Sequence, residues 1–101
     1  MTRDVLTVEA QQDLRQIRDY VVDEGGFRAA RYVVASIVTG FRALAKNPGQ
    51  GHRREDLTPR RELRFWSVFS YAIVYRIDKK PLTIVAILHG RRNVEHLLQE
   101  R

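Results

Sequence analysis

A chain of 101 residues suffices for one domain, and dividing it would leave two pieces too small to bury separate cores. Its composition, 44% hydrophobic and 30% charged, is that of a folded globular protein, and no apolar run approaches the roughly 20 residues that span a bilayer. The net charge of +6 favours anionic partners, while the absence of cysteine excludes disulfides and thiolate chemistry.

The opening Met1-Thr2-Arg3-Asp4 turns acidic too early for a secretory signal, so a cytoplasmic location is expected. An extended segment follows from Asp4 to Val8. Ala10, Leu14, Ile17 and Val21 then recur at steps of four, three and four, which lines one face of a helix. Gln11, Gln12, Arg15, Arg18 and Asp19 fall between them and face water. Gly25-Gly26 ends this helix, because glycine reaches the positive φ of a helix C-terminus or tight turn. A second stripe runs through Ala30, Val33, Ile37, Phe41 and Leu44 and stops at Asn47-Pro48-Gly49. Two amphipathic helices joined by a short turn form an antiparallel hairpin.

Gly49 to Arg60 reads as a loop. Three strands are predicted after it. The first covers Arg61 to Val68 around Leu63 and Phe65. The second alternates through Tyr71, Ile73, Tyr75 and Ile77, which places both tyrosines in the core. In the third, Leu82, Ile84, Ala86 and Leu88 alternate with β-branched neighbours. Phe69-Ser70 and Asp78-Lys79-Lys80-Pro81 are hairpin-sized connections, and a helical turn around Val94, Leu97 and Leu98 closes the chain. The predicted fold is α+β: an N-terminal strand and an antiparallel helical hairpin packed on an antiparallel β-meander, with a short C-terminal helix. The N-terminal strand joins an edge of the same sheet.

Several segments, in this order, resemble the ParE/RelE toxin superfamily. They are Ala10-x3-Leu14-x2-Ile17-x2-Tyr20, Phe41-x2-Leu44-Ala45-x2-Pro48-x2-Gly51, Leu63-Arg64-x-Trp66, Tyr71-Ala72-Ile73-Val74-Tyr75-Arg76 and Ile87-Leu88-His89-Gly90-Arg91-Arg92. The last is closest to the ParE, or plasmid-stabilisation, branch. The resemblance implies a toxin of a type II toxin–antitoxin system, held inactive by an antitoxin whose C-terminal segment wraps it. ParE-like members are associated with poisoning DNA gyrase, and RelE-like members with cleaving messenger RNA on the ribosome.

The residues bear differently on these targets. Phosphodiester cleavage needs an acid, a base and cations at the phosphate. Arg64, Arg76 and Arg91 are candidate clamps and His89 the candidate acid or base, since imidazole titrates near neutrality. Against a nuclease, no lysine cluster is present, and Gly90 stands where several nuclease members have a tyrosine. The alternative roles are structural: His89 bonded to backbone, and Arg64 and Arg76 paired with Glu62 or Asp78. A gyrase inhibitor needs only a complementary surface, for which Arg64, Trp66, Arg91 and Arg92 are candidates. Leu14, Ile17, Trp66 and Phe69 are candidate antitoxin contacts, facing an acidic, amphipathic segment. A non-toxic module binding nucleic acid is a third reading, diluted by Glu55, Asp56 and Glu62 among the loop arginines. His52, His89 and His96 share no zinc spacing, so neither metal nor other cofactor is expected.

Overall fold

The computed structural model describes residues 3–89 and 94–101. In chain order these form β1 (Asp4–Leu6), α1 (Val8–Lys46), a 3-10 turn (Pro48–Gln50), β2 (Leu63–Val68), β3 (Tyr71–Arg76), β4 (Leu82–His89) and α2 (Val94–Gln99).

Thr7 starts α1: its side-chain oxygen accepts the Ala10 N–H at 3.1 Å. The 39 residues of α1 would measure about 58 Å if straight, whereas the whole molecule is 37 Å in its longest dimension. The chain folds back at Gly26, whose φ of 85° and ψ of 175° lie in a region essentially closed to other residues. Two arms result. Leu14 and Arg18 of the first arm line one surface groove with Val34 of the second. This is the expected hairpin, with its reversal on a single glycine.

The sheet order is β1-β4-β3-β2. β2, β3 and β4 form the antiparallel meander, and β1 adds to the β4 edge in parallel, from Asp4↔Leu82 to Leu6↔Ile84. The alternation expected for β4 does not persist along the strand. Val74 pairs with Ala86 and Tyr75 with Ile84, so Val85 is an extra, unpaired residue, a β-bulge. A one-residue slip reverses which face each later side chain takes. Leu82, Ile84 and Ile87 therefore pack in the core beneath α1, and Ala86 and Leu88 in the core on the other side.

The sheet is the middle of three layers. On one face Ile37, Phe41 and Leu44 of α1 pack against Ile73, Tyr75 and Ile84. On the other, Val94 and Leu98 of α2 cover Leu63, Phe65, Val74 and Leu88. Tyr71, Ile73 and Tyr75 are all in the first core, as their spacing predicts. The Tyr75 hydroxyl donates to the Pro48 carbonyl and accepts the Gly51 N–H at 3.0 Å. A Cβ at Gly51 would come within 2.8–2.9 Å of the Tyr75 ring, so that approach requires glycine.

Because β1 ends opposite Ile84, side chains rather than a strand close the β4 edge beyond it. The Asp13 carboxylate, 6% exposed, accepts the Ile87 N–H at 3.0 Å. Arg101 grips the same carboxylate at 2.5 and 3.2 Å and donates to the Val85 carbonyl at 3.2 Å. The first arm of α1, the bulge and the residues after α2 thus meet at one ion pair.

Two stability predictions follow from these positions. Gly26→Ala should cost about 1–3 kcal/mol, because the added Cβ meets no atom within 4 Å and the penalty is conformational. Gly25→Ala should cost less, having a helical backbone and one contact at 3.1 Å with the Ala29 Cβ. Equal shifts in denaturation midpoint would contradict a hinge at Gly26. At the ion pair, Asp13→Ala should cost about 3–5 kcal/mol by stranding a buried cation. A double-mutant cycle with Arg101→Ala should be strongly non-additive, and simple additivity would refute the coupling.

Candidate partner-binding surface

Cross-strand partners share a sheet face, which places each candidate residue. Arg64 pairs with Tyr75 and Trp66 with Ile73, so both lie on the face under α1. Arg76 pairs with Leu63 and lies on the opposite face. His89 pairs with Tyr71, on the α1 side, four residues along β3 from the partner of Arg64. Four residues of strand span about 13 Å. The proposed catalytic trio is therefore split between two faces and two ends of the sheet.

Each member also has its own local partner. The Arg64 guanidinium donates to the carbonyls of Arg61 and Leu63 at 2.6 and 3.0 Å. Arg76 forms a two-bond pair with Asp78 at 3.0 and 2.9 Å. That bonding, more than the neighbouring charge, holds the Asp78 carboxyl below the usual carboxylate range. The Asp78 partner was anticipated for Arg76; Glu62 instead pairs with Arg60.

His89 stands at the mouth of a cleft of about 240 Å³ between the first arm of α1 and the sheet. Its ring meets Tyr71 edge-on at 5.5 Å, and Gln16 and Tyr20 line the same cleft, with Asp13 among its walls. Burial, and secondarily Tyr20, pushes the Tyr71 phenol up, so it remains a hydrogen-bond donor at neutral pH. The bulge at Val85 is what turns Ile87 and His89 towards this cleft.

The candidate antitoxin contacts are dispersed. Ile17 is 7% exposed and belongs mainly to the core, presenting only an edge to the His89 cleft. Leu14 is half-buried in the groove between the α1 arms. Trp66 is half-buried against the first core and stacks on His52, with ring centroids 6.2 Å apart. Phe69 is 56% exposed at the β2–β3 turn, where its ring meets that of Tyr32 at 5.7 Å. Arg91 and Arg92, like Gly90, lie outside the described residues.

On the outer side of the hairpin, the groove holding Leu14 and Val34 continues past Val22 and Ala30 to Phe27. Phe27 is 78% exposed, the most open of the large apolar side chains described. Arg15 and Arg31 border this seam, while Arg18 is paired with Asp19. A contiguous apolar seam of this kind, rimmed by charge, is the usual mark of an interaction surface.

Comparison with known proteins agrees with this architecture. The family model for the ParE toxin of the type II toxin-antitoxin system, parDE, matches residues 5–94. This chain belongs to the ParE toxin family. It is 31% identical over 94 residues to Toxin ParE3 of Caulobacter vibrioides (strain ATCC 19089 / CIP 103742 / CB 15), across 93% of this chain and 92% of that one. It is also 31% identical over 101 residues to Toxin ParE of Escherichia coli, across 100% and 97% of the two chains. The solved "Chromosomal ParDE TA system from P. aeruginosa" contains a chain with the same fold, with a TM-score of 0.73 at 24% identity, over 88% of this chain and 96% of that one. The ParE toxin is accordingly the toxin component of a type II toxin–antitoxin system and has an antitoxin partner.

Sequence reading missed Asp13, Arg101, Gln16 and Tyr20 as site residues. Asp13 had a visible signal, since it falls on the buried stripe between Ala10 and Ile17. Arg101 had none, because its partner lies 88 residues away.

Proposed function

We propose that this ParE toxin arrests growth by binding DNA gyrase, not by cleaving RNA. One observation carries the reading: Arg64, Arg76 and His89 do not converge, and Arg76 is on the far face of the sheet, engaged by Asp78. A general acid must reach its proton within hydrogen-bond distance, directly or through one water, and two arginines on opposite faces cannot enclose one phosphate. An inhibitor acting by contact has no such requirement. The ParE family assignment supports the same target, and a gyrase-directed protein acts in the cytoplasm.

The antitoxin reading places an acidic, amphipathic segment along the outer seam of α1. Its apolar face would cover Leu14, Val34 and Phe27, and its carboxylates would meet Arg15 and Arg31.

Purified toxin should inhibit gyrase supercoiling while leaving messenger RNA intact in a translation mixture. Cleaved message with unimpaired supercoiling would overturn the proposal. His89→Ala should leave RNA unaffected, as in the parent, and reduce gyrase inhibition by less than about tenfold, whereas a nuclease would lose about 10²–10⁴ in rate. Separately, Val34→Glu places a like charge where the antitoxin's carboxylates are expected. It should weaken antitoxin binding by at least about tenfold, or 1.4 kcal/mol, with the circular dichroism spectrum unchanged. Unaltered binding would move the antitoxin to another surface.

A further inference from the structure

The end of the molecule away from His89 carries a second cleft, of about 520 Å³, which none of the preceding roles uses. It opens where the start of β1, the β3–β4 turn and the end of α1 meet. Arg3, Lys79 and Lys80 line it, against an apolar wall from Ala45, Pro48 and Leu82. Backbone pairing holds these distant stretches together: the Leu82 N–H donates to the Arg3 carbonyl at 3.2 Å, immediately before the β1–β4 ladder begins.

None of the three cations of this cleft is held in an ion pair among the described residues, whereas six arginines elsewhere are. Arg18, Arg53, Arg54, Arg60, Arg76 and Arg101 each have a carboxylate partner. Among the described residues, Arg3, Lys79 and Lys80 are in no ion pair, and no acidic residue lines the cleft. The nearest acid along the turn, Asp78, is hydrogen-bonded by Arg76, and Lys79 acts on its carboxylate only through the electrostatic field.

We propose that this cleft binds the phosphodiester backbone of a nucleic acid without regard to base sequence. Three cations around one opening match a polymer with a negative charge at every step, and lysine acts on phosphate as a compact point charge. The apolar wall can take the sugar edge. No aromatic ring lines the cleft for base stacking, and base readout would need side chains placed for base edges, so the contact is with the backbone alone. This goes beyond the gyrase reading and concerns a different surface from the α1 seam.

The test is fluorescence anisotropy of the full chain with a labelled duplex DNA and a labelled single-stranded RNA, each of scrambled sequence, from low to moderate salt. Lys79→Glu/Lys80→Glu is compared with Arg15→Glu/Arg31→Glu, which changes net charge equally on the α1 seam. The lysine variant should bind at least about tenfold more weakly, and its dependence of log affinity on log salt should be shallower by about two. The α1 variant should retain most of the binding. Binding of DNA or of RNA alone supports the site and identifies its source. Two outcomes would overturn it: no binding of either polymer by the parent chain, or equal loss in both variants. Lys79 and Lys80 are exposed, so the variant should fold, which its circular dichroism spectrum checks.

Discussion

The Asp13 carboxylate is the point at which the three layers of this toxin are joined. A carboxylate this deeply buried needs a full set of donors, and it has them from the Ile87 backbone N–H and the Arg101 guanidinium. The local need comes from the sheet. β1 stops opposite Ile84, and the β4 groups beyond it require partners that a three-residue strand cannot reach. Thr7 and Arg101 at the Val85 carbonyl, and Asp13 at the Ile87 N–H, act in place of the missing strand. A pair of apolar residues would serve the core as well energetically, as buried ion pairs seldom add net stability. It could not satisfy the strand edge. Arg101 also reaches from beyond α2, on one side of the sheet, to α1 on the other, so the pair fixes α2 as well as β4.

How much of this was legible in the sequence depends on the range of the interaction. The two helical stripes, the glycine reversal and the meander are local or nearly so, because periodicity and turn chemistry act within a few residues. Tyr71, Ile73 and Tyr75 were placed correctly for that reason. The bulge at Val85 was hidden. Leu82 to Leu88 is apolar at almost every position, so two registers look equally good until the partner strand chooses between them. That choice turned His89 towards the α1 cleft and sent Ala86 and Leu88 to the other core. The opposite faces of Arg64 and Arg76 depended likewise on pairing register, which alternation in a single strand does not specify.

Charge shows the same division between local and long-range order. Arg53–Glu55, Arg54–Asp56, Arg60–Glu62 and Arg76–Asp78 all join residues two apart. The acidic member of each pair lies in a turn, which brings opposite charges together without any tertiary contact. Exposed pairs of this kind add little stability, because solvent screens them. Their larger effect is on the surface field. They neutralise the loop before β2 and the end of β3. The excess of +6 is left to cations outside these pairs, among them Arg3, Lys79 and Lys80 at a cleft that no acidic residue lines.

This distribution bears on what kind of toxin the scaffold supports. A catalyst gathers its reactive groups at one centre, because rate falls steeply once an acid or a phosphate clamp is displaced by an ångström or so. Here Arg64, Arg76 and His89 are held apart by the sheet itself. Arg76 cannot reach the α1 face without undoing its pairing with Leu63, and Arg64 is tied to its own strand end. The apolar seam on α1, the His89 cleft and the cationic cleft are carried by different elements, each stabilised by its own packing. Surfaces arranged in this way let a small protein meet more than one partner, and substitutions in one can leave the others intact. Such separability suits the contact mechanism proposed above and leaves a separate surface for the antitoxin.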